Sequence, residues 1–289
     1  MLLYHRVHCE LRKAQARKKE RGFTLIELSI VLVIIGLIVG GILVGQDLIR
    51  AAEVRATISQ IEKYNTAVNT FRVKFNAIPG DMSSTTASTF GFTGRSGSAG
   101  QGDGNGLLDG EAGANSLLQG SGETGMFWTD LSSSTAGNLI DGTFALGPTG
   151  TASPATTGLG TVMPAAKLGR GNYIYVFNGN STGITGVQGT YTGGNWYGMS
   201  AVSGVASGVV TSSGNIGVTQ AYNIDKKVDD GLPISGNVMA GFLTAGNITQ
   251  AAPSTASATT CYDSGNGNEY SIATNNGSGG NCGLTFRFQ

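Results

Sequence analysis

From Phe23 to Val44 the chain carries a single ionisable side chain, Glu27, in an otherwise apolar run. Those 22 residues would form a helix about 33 Å long, enough to cross a hydrocarbon core of about 30 Å. A carboxylate inside such a segment costs about 3 kcal/mol or more unless it finds a partner. Lys18, Lys19, Glu20, Arg21 and Gly22 stand immediately before the run. A chain end created between Gly22 and Phe23 would supply a cationic α-amine with a reference pKa of about 8. The two charges suit each other best between neighbouring helices, which makes Glu27 a candidate assembly residue.

Arg21-Gly22-Phe23-Thr24-Leu25-Ile26-Glu27, continued by the apolar residues to Gly36, resembles the class III signal of type IV prepilins and type II secretion pseudopilins. The resemblance implies cleavage by a prepilin peptidase between Gly22 and Phe23, and methylation of the new Phe23 amine. It also sets Glu27 at the family's acidic position. An ordinary secretory signal fits poorly, because its apolar region spans about 7–15 residues and closes on a small-residue cleavage site. An uncleaved signal anchor is the plainer alternative. Many major pilins have a kinking proline in this run where the present sequence has Val44, which favours a pseudopilin-like or minor subunit.

Charge supports an exported body. The formal net charge is zero, but residues 1–22 hold +5 and the remainder −5. A basic N-terminal flank predicts a cytoplasmic leader, a single pass through the inner membrane and a periplasmic C-terminal part. After assembly the body would belong to a periplasmic or extracellular filament, either a homo-oligomer or a hetero-oligomer. The slightly acidic body offers no basic footprint for nucleic acid. Cys9 lies in the leader, which leaves Cys261 and Cys282 as the thiols of the mature chain. In an oxidising compartment such a pair reads as a disulfide, the alternative being two free thiols.

Beyond the membrane run, Val54, Ile58, Ile61, Tyr64, Val68, Phe71 and Phe75 recur every three or four residues, with Arg55, Glu62, Lys63, Arg72 and Lys74 mostly off that stripe. Ile78-Pro79-Gly80-Asp81 ends the pattern. One helix is therefore predicted over Phe23–Asn76, its second half resting on a sheet formed downstream. Strand candidates are Asn172–Phe177, Trp196–Val202, Gly208–Thr211, Val238–Thr244 and Leu284–Phe288. Thr219–Asp230 reads as a short helix, and 83–160 and 246–280 as Gly/Ser/Thr-rich loops. The fold class is α+β: a long N-terminal helix on an antiparallel β-sheet, as the resemblance to pilins also implies. The expected organisation is a leader at 1–22, an assembly helix at 23–76 and a globular domain at 77–289.

Catalytic chemistry is poorly provided for. Both histidines, His5 and His8, lie in the leader, so a mature chain would lack Ser-His and Cys-His nucleophilic pairs and His-containing zinc sites. The metal-like segment is Gly102–Glu111, where Asp103, Asn105, Asp109 and Glu111 could give oxygen ligands to calcium. It departs from an EF-hand loop, with Leu107 at a ligand position and Leu108 where glycine belongs. A hydrated Asp/Asn-Gly turn is the plainer reading of that segment, and a helix end that of Asp229-Asp230-Gly231. The expected function is thus a non-enzymatic filament subunit. A membrane-anchored adhesin or binding module that does not polymerise is the alternative.

Overall fold

The computed structural model describes residues 22–111, 119–146, 158–180, 191, 193–206, 208–240, 244–245, 248–249, 261–263, 269–272 and 280–288. They fall into two units, one ending at Ile49 and one running from Arg50.

Helix α1 (Leu25–Phe75) has 51 residues and contains no proline, so nothing interrupts its backbone ladder. In the first unit its apolar side chains are exposed, Leu25 by 88% and Leu37 by 73%. In the second unit it buries Val54, Thr57, Ile61, Tyr64, Val68, Phe71 and Phe75. Their spacing alternates between three and four, one continuous stripe as the sequence predicts, except that Thr57 is buried where Ile58 was expected and Ile58 is only partly buried. Arg55, Glu62, Lys63, Arg72 and Lys74 are exposed off that stripe. The helix stops where Asn76 turns left-handed at φ 51°, a conformation asparagine tolerates at a helix end.

The stripe rests on a five-stranded antiparallel sheet. Strands β1 (Asn172–Asn178), β2 (Asn195–Ala206), β3 (Val209–Ser213), β4 (Val238–Met239) and β5 (Leu284–Arg287) form it in the order β1-β2-β5-β4, with β3 also paired to β2. The β2 strand is long because its first half pairs with β1 and β5, and its second half with β3. Aromatic side chains join the layers: Tyr64 of α1 lies 5.0 Å from Trp128 and 6.2 Å from Tyr197 of β2, and Tyr197 stacks on Phe288 at 4.2 Å. Val238–Thr244 is corrected in part, since β4 ends at Met239 and the Ala240 amide donates to Pro233 O instead of the sheet. The short helix is present as Val218–Val228, close to the span read from sequence.

Among the described residues, the stretch read as loop contains two α-helices, α2 (Ser84–Phe90) and α3 (Gly122–Ser132). In α3 ten of the eleven residues are buried, so no polar face marks it as helical. Its glycines fit tight spaces: a Cβ at Gly125 would meet Leu146 Cδ2 at 1.9 Å. Likewise a Cβ at Gly80, which sits at φ +87°, would meet the Glu123 carbonyl oxygen at 2.2 Å. The turn after α1 therefore lies directly against α3.

That junction is held by a buried ion pair. Asp130 of α3 accepts from the Gly80 amide at 2.7 Å and from Arg95 Nη2, with both charged side chains almost fully buried. Burial pushes the Asp130 carboxyl above the usual range, against the pull of the guanidinium. Arg95→Ala would strand this carboxylate and should cost about 3–5 kcal/mol. Chemical denaturation of the full chain in detergent checks this; a loss below about 1 kcal/mol would mean the pair is not critical.

Candidate functional site

The first candidate site lies at the start of α1. Thr24 precedes the helix and Glu27 is its third residue. Glu27 Oε2 accepts from the Thr24 amide at 2.8 Å and from Thr24 Oγ1 at 2.7 Å, while the Glu27 amide donates to Thr24 Oγ1 at 3.3 Å. This reciprocal arrangement is a capping box, which satisfies two amides otherwise orphaned at the helix start. The spacing Thr-x-x-Glu was readable in the sequence and went unused there. Glu27 Oε1 has no hydrogen bond to any described residue. Phe23 is 87% exposed, and Gly22 stands before the helix in irregular backbone. The α1 helix is long and apolar enough to cross a membrane.

The second candidate site is a set of buried acids around the Gly102–Asp109 loop. Of the four residues proposed for calcium, only Asp103 joins a three-carboxylate group, and its companions are Asp81 and Glu123, with ligand atoms within 4.8 Å of one another. Sequence reasoning missed both, because one sits on the turn after α1 and the other on α3, far away in the chain. Asn105 bridges instead, donating from Nδ2 to Asp103 Oδ2 at 3.0 Å and reaching Asp109 Oδ2 at 3.5 Å. Asp109 is buried, and its Oδ1 accepts from Asn178 Nδ2 of β1. Glu111 stands apart, its amide 3.4 Å from Ser121 Oγ and its Oε2 buried without a partner among the described residues.

The carboxylates fold the loop. Asp81 accepts from the amides of Gly104 at 2.7 Å and Gly106 at 2.6 Å. Glu123 accepts from Gly102 at 2.8 Å, Asp103 at 3.4 Å and Asp109 at 2.9 Å. Five loop amides thus converge on two acids, which is how a segment of glycine and asparagine holds one shape. Both acids have lone pairs to spare, so together with Asp103 of the loop they could hold a cation. The other acidic group, Asp225, Asp229 and Asp230, accepts from the amides of Gly231, Val238 and Leu232. It organises a helix end, in keeping with its plainer reading.

Burial pushes Asp81 up to about 7 and Glu123 to about 8, against the lowering effect of their loop amides, with the charges of Asp103 on Asp81 and of Asp81 on Glu123 adding to the rise. A carboxyl with a raised folded pKa favours the folded state when protonated. That stability is present at low pH and is lost as pH climbs from about 4 through the folded values of about 7 and about 8. Thermal unfolding without divalent cations should therefore give a higher Tm at pH 6 than at pH 8.5. Glu123→Gln should shrink the difference, and an unchanged profile would contradict the assignment.

Cys261 and Cys282 form a disulfide with Cα atoms 5.0 Å apart. It ties Tyr262–Asp263, paired with Glu269–Tyr270, to the residues entering β5. A crosslink across 21 positions contributes about 3 kcal/mol in the chain-entropy picture.

Residues 17–43 match the family model described as the prokaryotic N-terminal methylation motif. The chain fits a type IV pilin-like prepilin. The match spans Gly22, Phe23, Thr24 and Glu27, the residues at the start of α1. No curated protein and no solved structure matches the chain. For such a prepilin the motif implies, in general terms, processing by a prepilin peptidase and polymerisation. The buried acids of the Gly102–Asp109 loop lie outside the matched residues.

Proposed function

We propose that this chain is a structural subunit, without a catalytic role, of a type IV pilus or a type II secretion pseudopilus. The peptidase cuts between Gly22 and Phe23, and the Phe23 amine is methylated. Before assembly the chain sits once through the inner membrane, its leader in the cytoplasm and its body in the periplasm. It then leaves the lipid for a filament built on a bundle of α1 helices. The observation that carries this reading is the methylation motif leading into a helix whose apolar surface is exposed among the described residues.

Glu27 supplies register. Its Oε2 belongs to the capping box, and Oε1 can accept from the Phe23 amine of an adjacent subunit. The charge then meets its counter-charge instead of standing alone in hydrocarbon. Gly36 and Gly40 support the same packing, since a Cβ at either would meet nothing within 4 Å among the described residues and their spacing of four allows close helix approach.

Gly22→Ala tests the processing step. A methyl at the cleaved position should leave the chain at precursor size on an immunoblot, with no filaments. A band of mature size would contradict cleavage at Gly22. If the leader stays on the wild-type chain as well, the anchored binding module is the better description.

A further inference from the structure

We propose that the cleft between the last turns of α1 and the Gly102–Gly106 loop binds a neutral saccharide. The cleft has a volume of about 870 Å³, and its described lining residues all belong to the second unit. That volume lies within the range of about 300–1,000 Å³ common for small-ligand sites.

Its two walls carry complementary chemistry. On the helix wall Asn69 and Arg72 stand three residues apart, so they share a face, and Asn76 follows at the left-handed turn that ends the helix. All three are exposed, and their side chains make no hydrogen bond to a described residue. They offer the guanidinium donors of Arg72 and the mixed donors and acceptors of two amides. On the loop wall Asp81 and Asp103 bring carboxylate oxygens. These oxygens already accept from Gly104, Gly106 and Asn105, which fixes their orientation, and each keeps acceptor capacity. Val73, on the last turn of α1 and 89% exposed, adds an apolar side chain to the lining.

The combination selects the ligand class. Phosphates and other anions would face two carboxylates. A purely apolar ligand would leave five polar side chains unpaired on their loss of water, which is costly. A simple cation could take Asp81 and Asp103 but would leave the guanidinium of Arg72 and the amides of Asn69 and Asn76 without a role. A neutral peptide cannot add a strand here, since this cleft is walled by a helix and a loop, and it serves as a comparison in the test. A sugar meets every feature at once. Its hydroxyls donate to the aspartates and accept from Arg72 and the amides, and its C–H face covers Val73.

Isothermal titration of the full chain, in a detergent without a sugar headgroup, tests the proposal. The probes are oligosaccharides of glucose, galactose, mannose and N-acetylglucosamine, with calcium chloride and a neutral glycine-serine peptide for comparison. At least one saccharide should bind with one site per chain. Asn69→Ala and Arg72→Ala should each weaken it about tenfold or more, as expected for loss of a hydrogen bond in the cleft. Both positions are exposed, so unfolding temperatures should stay put, and Lys227→Ala, outside the cleft, should bind as the unmodified chain does. The proposal is overturned if no saccharide binds, if only calcium or the peptide binds, or if saccharide binding ignores both cleft variants.

Discussion

Glu27→Gln should abolish filaments while leaving leader removal intact. Glutamine keeps an oxygen that can accept from Thr24, so the capping box at the start of α1 survives and only the charge is lost. Glu27→Ala removes charge and cap together, and the cap alone is worth about 1 kcal/mol in a helix of 51 residues. If charge pairing with a neighbour's Phe23 amine sets the register, both variants fail alike. Thr24→Ala, which weakens the cap and keeps the charge, should polymerise better than either. Filament yield from sheared cells, read beside a blot for processing, separates the cases. Normal yield from Glu27→Gln would assign the residue to helix capping and remove the register argument.

The second large effect concerns the other half of the same helix. Phe71→Ala should cost about 3–5 kcal/mol, the usual range for a large buried aromatic cut to alanine. Phe71 is fully buried, with ring centroids 4.7 Å from Phe75 and 5.5 Å from Phe92. Two residues on, Val73 is 89% exposed, and Val73→Ala should change stability by less than about 0.5 kcal/mol. Denaturant unfolding of the pair of variants reads out which face of α1 the second unit covers. Equal losses would mean that the stripe does not divide the helix into a buried and an open side.

Where the fold was legible, the reason is periodicity. The stripe from Val54 to Phe75 repeats often enough to name most of its buried face, although buried Thr57 and Ala67 were missed and Ile58, expected there, is only partly buried. Strands β1, β2 and β5 are rich in aromatic or β-branched side chains between turn residues, and they appear within a residue or two of the expected ends, apart from the longer extension of β2 to Ala206. Helix α3 was hidden for the opposite reason. Glu123, Thr124, Asp130 and Ser132 are buried along with Met126, Phe127 and Trp128, so its polar residues point inward and give no contrast. Glycines at 122 and 125 further disguise it as loop; there they serve close approach to other backbone and to Leu146. The acidic group was half legible. Asp103 announces itself in a Gly-Asp-Gly-Asn segment, whereas Asp81 and Glu123 reach it only through the turn after α1 and the placing of α3. At the N-terminal site Glu27 stood out as a charge in an apolar run, but its capping partner Thr24 was legible and overlooked.

Mass spectrometry of the N-terminal peptide from native filaments tests the account most directly. The expected peptide begins at Phe23 and carries one added methyl group on its amine. A peptide that retains residues 1–22, recovered from chains that stay dispersed in the membrane, would contradict it.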